Sequence, residues 1–247
     1  PVFSFFFASD STVAGVNNTA SANSSSAFGY FNTAGGLASS AFGWSNTASA
    51  ENASAVGYGN NAGGVASSAF GFSNVAKVDY ASAFGYSNEA SGLASSAVGF
   101  RNKAASENAS AVGYGNNANA LAASAVGYNN TAGGVGSSTI GYNNTATNEN
   151  ASAFGYGNTA GGLASSAFGF SNTASGDNAN AFGYNNIASG SKSNVFGTGN
   201  TVSGSSSNAV GTANEVAAEN STAIGNNNTI SSGAENSAAL GNNISIS

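Results

Sequence analysis

The chain has 247 residues, of which only 6% are charged, with a net charge of −6 and no Cys, His or Met. Those absences exclude disulfides, thiolate chemistry and imidazole ligation. The charge balance argues against nucleic acid and anionic membranes as partners, and no apolar run approaches the ~18 residues of a membrane helix. The sequence therefore predicts no membrane insertion by this chain.

The chain opens on PVFSFFFASDS, residues 1–11. It begins at Pro1 without an initiator Met and lacks the basic start of a signal peptide, so it reads as a secreted, mature chain or a fragment. Phe3, Phe5, Phe6 and Phe7 are too apolar to sit in water. They read either as a cap over an open sheet end or as a segment docking on another subunit by strand addition.

From there on one pattern recurs. Sixteen glycines, from Gly15 to Gly225, follow one another at 14-residue intervals, and Gly241 follows after 16. Three residues past each of the sixteen stands an asparagine: Asn18, Asn32, Asn46, Asn60, Asn74, Asn88, Asn102, Asn116, Asn130, Asn144, Asn158, Asn172, Asn186, Asn200, Asn214 and Asn228. Five past stands Ala up to Ala188, then Val202, Val216 and Ile230. A fixed period of this kind marks a solenoid whose coils bury their apolar face only by stacking on neighbours. Fourteen residues are too few for a helical repeat. They suit two short strands and two turns, an all-β parallel β-solenoid of about 16–17 coils stacked at ~4.8 Å. Low charge with much Gly, Ser and Asn also fits disorder, but aromatic residues locked to repeat positions argue for a folded body.

Within a copy such as Ser67–Asn74, Ser68, Phe70 and Phe72 fall on one face and Ser67, Ala69 and Gly71 on the other. In residues 12–190 the residue after the glycine is aromatic from the second copy on: Tyr30, Trp44, Tyr58, Phe72, Tyr86, Phe100, Tyr114, Tyr128, Tyr142, Tyr156, Phe170 and Tyr184. Two such rings per coil would overfill a thin lumen. Ala and Gly are therefore expected inside and at least part of the aromatic stripe outside. An outward stripe would expose on the order of 1,000 Å², above the few hundred tolerated on a monomer, so these residues are expected to form a subunit interface.

The asparagines are expected to hydrogen-bond up a ladder of stacked amides. Six residues before the glycine, apolar and acidic residues alternate: Leu37, Glu51, Val65, Asp79, Leu93, Glu107. Alternation keeps like charges from stacking, or it forms an apolar contact row. Residues 191–247 differ, with Thr198, Thr212 and Asn226 replacing the rings, so these C-terminal coils are expected to pack differently.

Ser-x-Ala-apolar-Gly, then Asn-x-Ala and a turn, resembles the head repeat of YadA-type trimeric autotransporter adhesins. Ser207–Ile230 is the nearest stretch, and the resemblance spans roughly Ser11 to Asn243. It implies a left-handed parallel β-roll, three chains around an axis, and a head at the cell surface that binds host matrix or other cells. That family's neck, coiled-coil stalk and membrane-anchoring barrel have no counterpart in this sequence. A homotrimer is one expectation, and an extracellular filament joined through the N-terminal phenylalanines is the other.

No enzyme is expected. The acids stand singly at turns and no His serves as base. Gly57–Ala62 fits a dinucleotide fingerprint, but no helix follows it, and neither cofactor nor metal is expected. Asn-x-Ser/Thr occurs often, as at Asn52 and Asn108, as an Asn- and Ser-rich repeat requires. The rival reading is an ice-binding solenoid with a threonine column, Thr33, Thr47, Thr131 and Thr145 among its members. Glu89, Lys103, Asn117 and Glu215 interrupt that column.

Overall fold

The computed structural model describes residues 9–247. Among them there is no helix, and thus none long and apolar enough to cross a membrane. Each repeat forms one coil with a five-residue strand and a two-residue strand, as in Ser68–Phe72 followed by Val75–Ala76. The described residues make seventeen such coils in two compact units, residues 9–122 and 123–247. The first unit holds eight coils, from Thr12–Val16 to Asn117–Ala118. The second holds nine, from Ser124–Tyr128 to Ser245–Ile246.

Pairing is parallel and in register. Ser68 opposes Ser82, Ala69 opposes Ala83 and Gly71 opposes Gly85. The period persists because every residue meets its equivalent in the next coil. In the second unit the two-residue insertion before Gly241 is absorbed without loss of register, since Gly225 opposes Gly241 and Thr222 opposes Ala238.

The inside is thin. Ala69, Ala76 and their equivalents are fully buried, as are Ser67 and Asn74. The second unit enlarges this core with Val195, Val202, Val216 and Ile230. The rings lost at Thr198, Thr212 and Asn226 lie on the outer side, and the volume gained lies within, so the two changes are not an exchange in one layer.

The glycine departs from its expected inward position. Gly71 is exposed and holds φ +118°. A Cβ there would sit 2.1 Å from the Gly85 carbonyl oxygen of the next coil. The residue is required for conformation and close approach rather than to fill the lumen. Each turn is held by the preceding coil. The amides of Ala66 and Ser73 donate to the carbonyls of Glu51 and Tyr58, both at 2.8 Å. These two residues, like their counterparts, adopt positive φ (53° in both cases).

Gly71→Ala should therefore destabilise the fold by about 3 kcal/mol or more, from strain and overlap together. Gly199→Ala is the control, because at Gly199 (φ +63°) a Cβ meets nothing within 4 Å. Its cost should stay near 1 kcal/mol. Thermal unfolding followed by circular dichroism measures both.

Candidate functional site

The outer side of the long strands carries two columns of large side chains. In the first unit the column after the glycine holds Tyr30, Trp44, Tyr58, Phe72, Tyr86, Phe100 and Tyr114. Tyr58, Phe72 and Tyr86 stack at 4.9 Å between centroids with planes 3° apart, and Phe100 continues the stack 4.8 Å beyond Tyr86. Trp44 tilts by 40° against Tyr30, the adjustment a larger ring needs in this spacing. In the second unit Tyr128, Tyr142, Tyr156, Phe170 and Tyr184 stack at 4.7–5.2 Å. The column before the glycine stacks wherever Phe recurs, as in Phe70 on Phe84 at 5.1 Å and Phe154 on Phe168 at 4.7 Å. Elsewhere it holds Val or Ile, with Ala14 in the first coil and Leu240 in the last.

Strand spacing sets ring spacing here. Identical positions stack face on face, each pair adding ~0.5–1.5 kcal/mol beyond area. Stacked rings cover one another's faces and leave their edges outward. None of the described Phe, Tyr or Trp residues is buried. Trp44 is 48% exposed and Tyr184 54%. Phe3, Phe5, Phe6 and Phe7 lie outside the described residues.

Behind these columns runs the line of buried asparagines. Asn32 Nδ2 donates to the Phe28 carbonyl (2.9 Å), to the Gly43 carbonyl of the next coil (2.6 Å) and to Asn18 Oδ1 of the preceding coil (3.0 Å). Asn18 Oδ1 also accepts from the Asn32 backbone N–H at 2.9 Å. Two amide protons are thus shared among three acceptors. The same contacts recur at Asn46, Asn60, Asn74 and Asn88, and in the second unit at Asn144, Asn158, Asn172, Asn186, Asn200, Asn214 and Asn228. Asn102 donates likewise to Asn88 Oδ1, and Asn116 and Asn130 occupy the equivalent buried positions.

The turn at which apolar and acidic residues alternate, six residues before the glycine, has a structural basis that charge spacing alone does not suggest. Asp79 Oδ1 accepts from the Val65 N–H at 2.8 Å, and Asp177 Oδ1 from the Leu163 N–H at 3.0 Å. An aspartate in one coil thus caps the exposed apolar residue of the coil before. In those apolar coils Gly64 N–H donates to Ser67 Oγ (3.2 Å), and a Cβ on Gly64 would overlap the Val78 carbonyl group. The paired glycine and serine, three residues apart in alternate coils, are the sequence signal for this bond.

No group of His, Cys, Asp or Glu among the described residues could hold a metal ion. On the short strands the threonine column is broken at Val75, Glu89, Lys103 and Asn117. What the surface offers chemically is an extended apolar, ring-edged face on a rigid hydrogen-bonded frame.

The sequence matches the family model of the YadA head domain repeat over residues 8–32, 34–60, 62–88, 90–116, 132–158, 160–186 and 203–228. Those segments make up well over half of the chain, and the chain belongs to the family of YadA head domain repeats. Comparison with curated proteins found no match.

Asn88→Ala would remove the side-chain donor from the Phe84 and Gly99 carbonyls and the Oδ1 acceptor from the Asn102 N–H, leaving Asn74 Oδ1 only the backbone N–H of residue 88. An expected loss of about 2–4 kcal/mol follows, read as a fall in the urea midpoint. Ser87→Ala, on the exposed side of the same turn, should change the midpoint little.

Proposed function

We propose that the chain is the head portion of a cell-surface adhesin, in which copies pack through the aromatic columns, three to an assembly, and the outer turns meet other surfaces. Its role is adhesive and structural, without catalysis. The observation that carries this reading is the outward placement of every described aromatic residue in a chain of YadA head domain repeats. A lumen of Ala, Ser and Asn leaves the large apolar groups unburied within one chain. Packing ~100 Å² of each ring against a neighbouring copy would contribute about 2.5 kcal/mol per ring, enough for the columns to dominate assembly.

Light scattering on the purified chain tests the reading. The expected mass is that of three chains. Tyr86→Ser combined with Tyr114→Ser should lower it toward one chain while leaving the circular dichroism spectrum unchanged. A folded double variant of unaltered mass would overturn the role given to this column. Long fibres that vanish when residues 1–9 are deleted would instead establish the filament.

A further inference from the structure

The chain contains no Cys, His or Met, so its one Trp and nine Tyr are the side chains that give up an electron most readily. Nine of these ten stand in the column after the glycine. Tyr80 alone lies elsewhere, at the turn five residues before Gly85. The repeat does not require this sorting, since it accepts Phe72, Phe100 and Phe170 at the same position.

Stacking brings the oxidisable rings into contact. In the first unit the Trp44 indole lies between Tyr30, 4.4 Å away between centroids, and Tyr58, 6.1 Å away. Phe72 bridges Tyr58 and Tyr86 at 4.9 Å on each side, and Phe100 bridges Tyr86 and Tyr114 at 4.8 Å. In the second unit Tyr128, Tyr142 and Tyr156 stack directly, at 4.9 and 4.8 Å. Electron tunnelling falls steeply with distance, so rings in contact exchange an electron far faster than rings several coils apart. Trp44 and Tyr58 are each about half exposed, so water at their outer edges takes up and returns the protons that a change of oxidation state displaces.

We propose that the aromatic column of each unit is a relay for one-electron oxidation, passing oxidising equivalents from ring to ring on the outside of the frame. A radical oxidant takes an electron from Trp44, whose indole N–H proton leaves to water. Tyr58 or Tyr30 then gives an electron to the indolyl radical. The phenol proton leaves to water, and a proton from water restores the indole N–H, so that only the hole has moved. Phenol is the easier of the two to oxidise at neutral pH once its proton leaves, which sets the direction from Trp44 into the tyrosines. A diffusible one-electron reductant such as ascorbate restores the last phenol. The relay goes beyond the adhesive reading and does not depend on how copies pack, since donor and acceptor belong to one unit of one chain.

Pulse radiolysis of the full chain in azide solution is the test, because the azide radical oxidises indole in preference to phenol. At doses that leave most chains without a radical, the indolyl absorbance should decay in a first-order phase, at a rate independent of protein concentration, while phenoxyl absorbance grows to match. Tyr30→Phe combined with Tyr58→Phe keeps rings in the column but removes their phenols. Transfer should then slow by well over an order of magnitude, because the nearest remaining column tyrosine, Tyr86, stands three strand spacings, about 14 Å, from Trp44. Tyr80→Phe should leave the rate unchanged. Trp44→Phe combined with Tyr142→Trp moves the indole to the second unit, where transfer to Tyr128 and Tyr156 should again be first-order. The relay is overturned if indolyl decay scales with protein concentration, if no phenoxyl growth accompanies it, if the double Phe variant transfers as fast as the natural chain, or if Tyr80→Phe slows transfer as much as that variant. A trimer without transfer sinks the relay alone, whereas a monomer that transfers leaves it standing and removes the packing of copies.

Discussion

The hydrogen bond from each buried asparagine to the glycine carbonyl of the following coil is the interaction on which the rest depends. It is short, 2.6–2.9 Å throughout both units. It forms only because nothing projects from the glycine. A Cβ on Gly29 would approach Gly43 O to 2.1 Å and the Asn32 amide nitrogen to 3.1 Å. Glycine and asparagine therefore act as one unit across coils. Replacing either strands polar groups inside a wall too thin to admit compensating side chains. Such buried groups are costly when unsatisfied, which is why neither position varies over sixteen copies.

The same thinness decides what lies outside. A lumen filled by Ala and Ser loses little side-chain entropy on folding and lets backbones approach closely, but it removes little apolar area from water. Backbone and amide ladders fix the geometry, while the large side chains are left on the outer surface. There the in-register strands force equivalent rings together at strand spacing. Stacking covers ring faces and stiffens the surface, yet ring edges remain in water. A single chain thus leaves its large apolar groups on the surface, a state that the proposed association of copies would relieve.

Much of this was legible in the period. The repeat length set the number and length of the strands, and the invariant Asn and Ala positions marked the interior. The direction of the rings followed from volume, since two rings per coil do not fit between alanines. Three features were not legible. Gly71 obeys strand alternation on paper, yet its positive φ carries it outward. Ala38, Ala66 and Ala94 adopt left-handed backbone although alanine gives no such signal. Stacking overrides propensity there, because each amide must reach a carbonyl of the coil before, as Ala94 N–H reaches Asp79 O at 3.0 Å. The capping by Asp79 and Asp177 was also hidden, because their counterparts at Glu51 and Glu107 look equivalent by charge but differ in reach.

A repeat of this kind separates two kinds of information. Inward positions are committed to the frame and hold Ala, Ser and Asn, with Thr139 in one coil and a few aliphatics in the later ones. Outward positions are free, and most coils fill them with uncharged residues of little individual character. Against so uniform a background, a residue that puts a large exposed ring at a turn, like Tyr80, or that places a rare cation, like Arg101, stands out as a choice the frame did not demand. The physical argument for recognition therefore runs opposite to the usual one. In this fold the positions held constant by stacking explain the structure, and the interruptions of the pattern on its outer side are where a specific contact has room to arise.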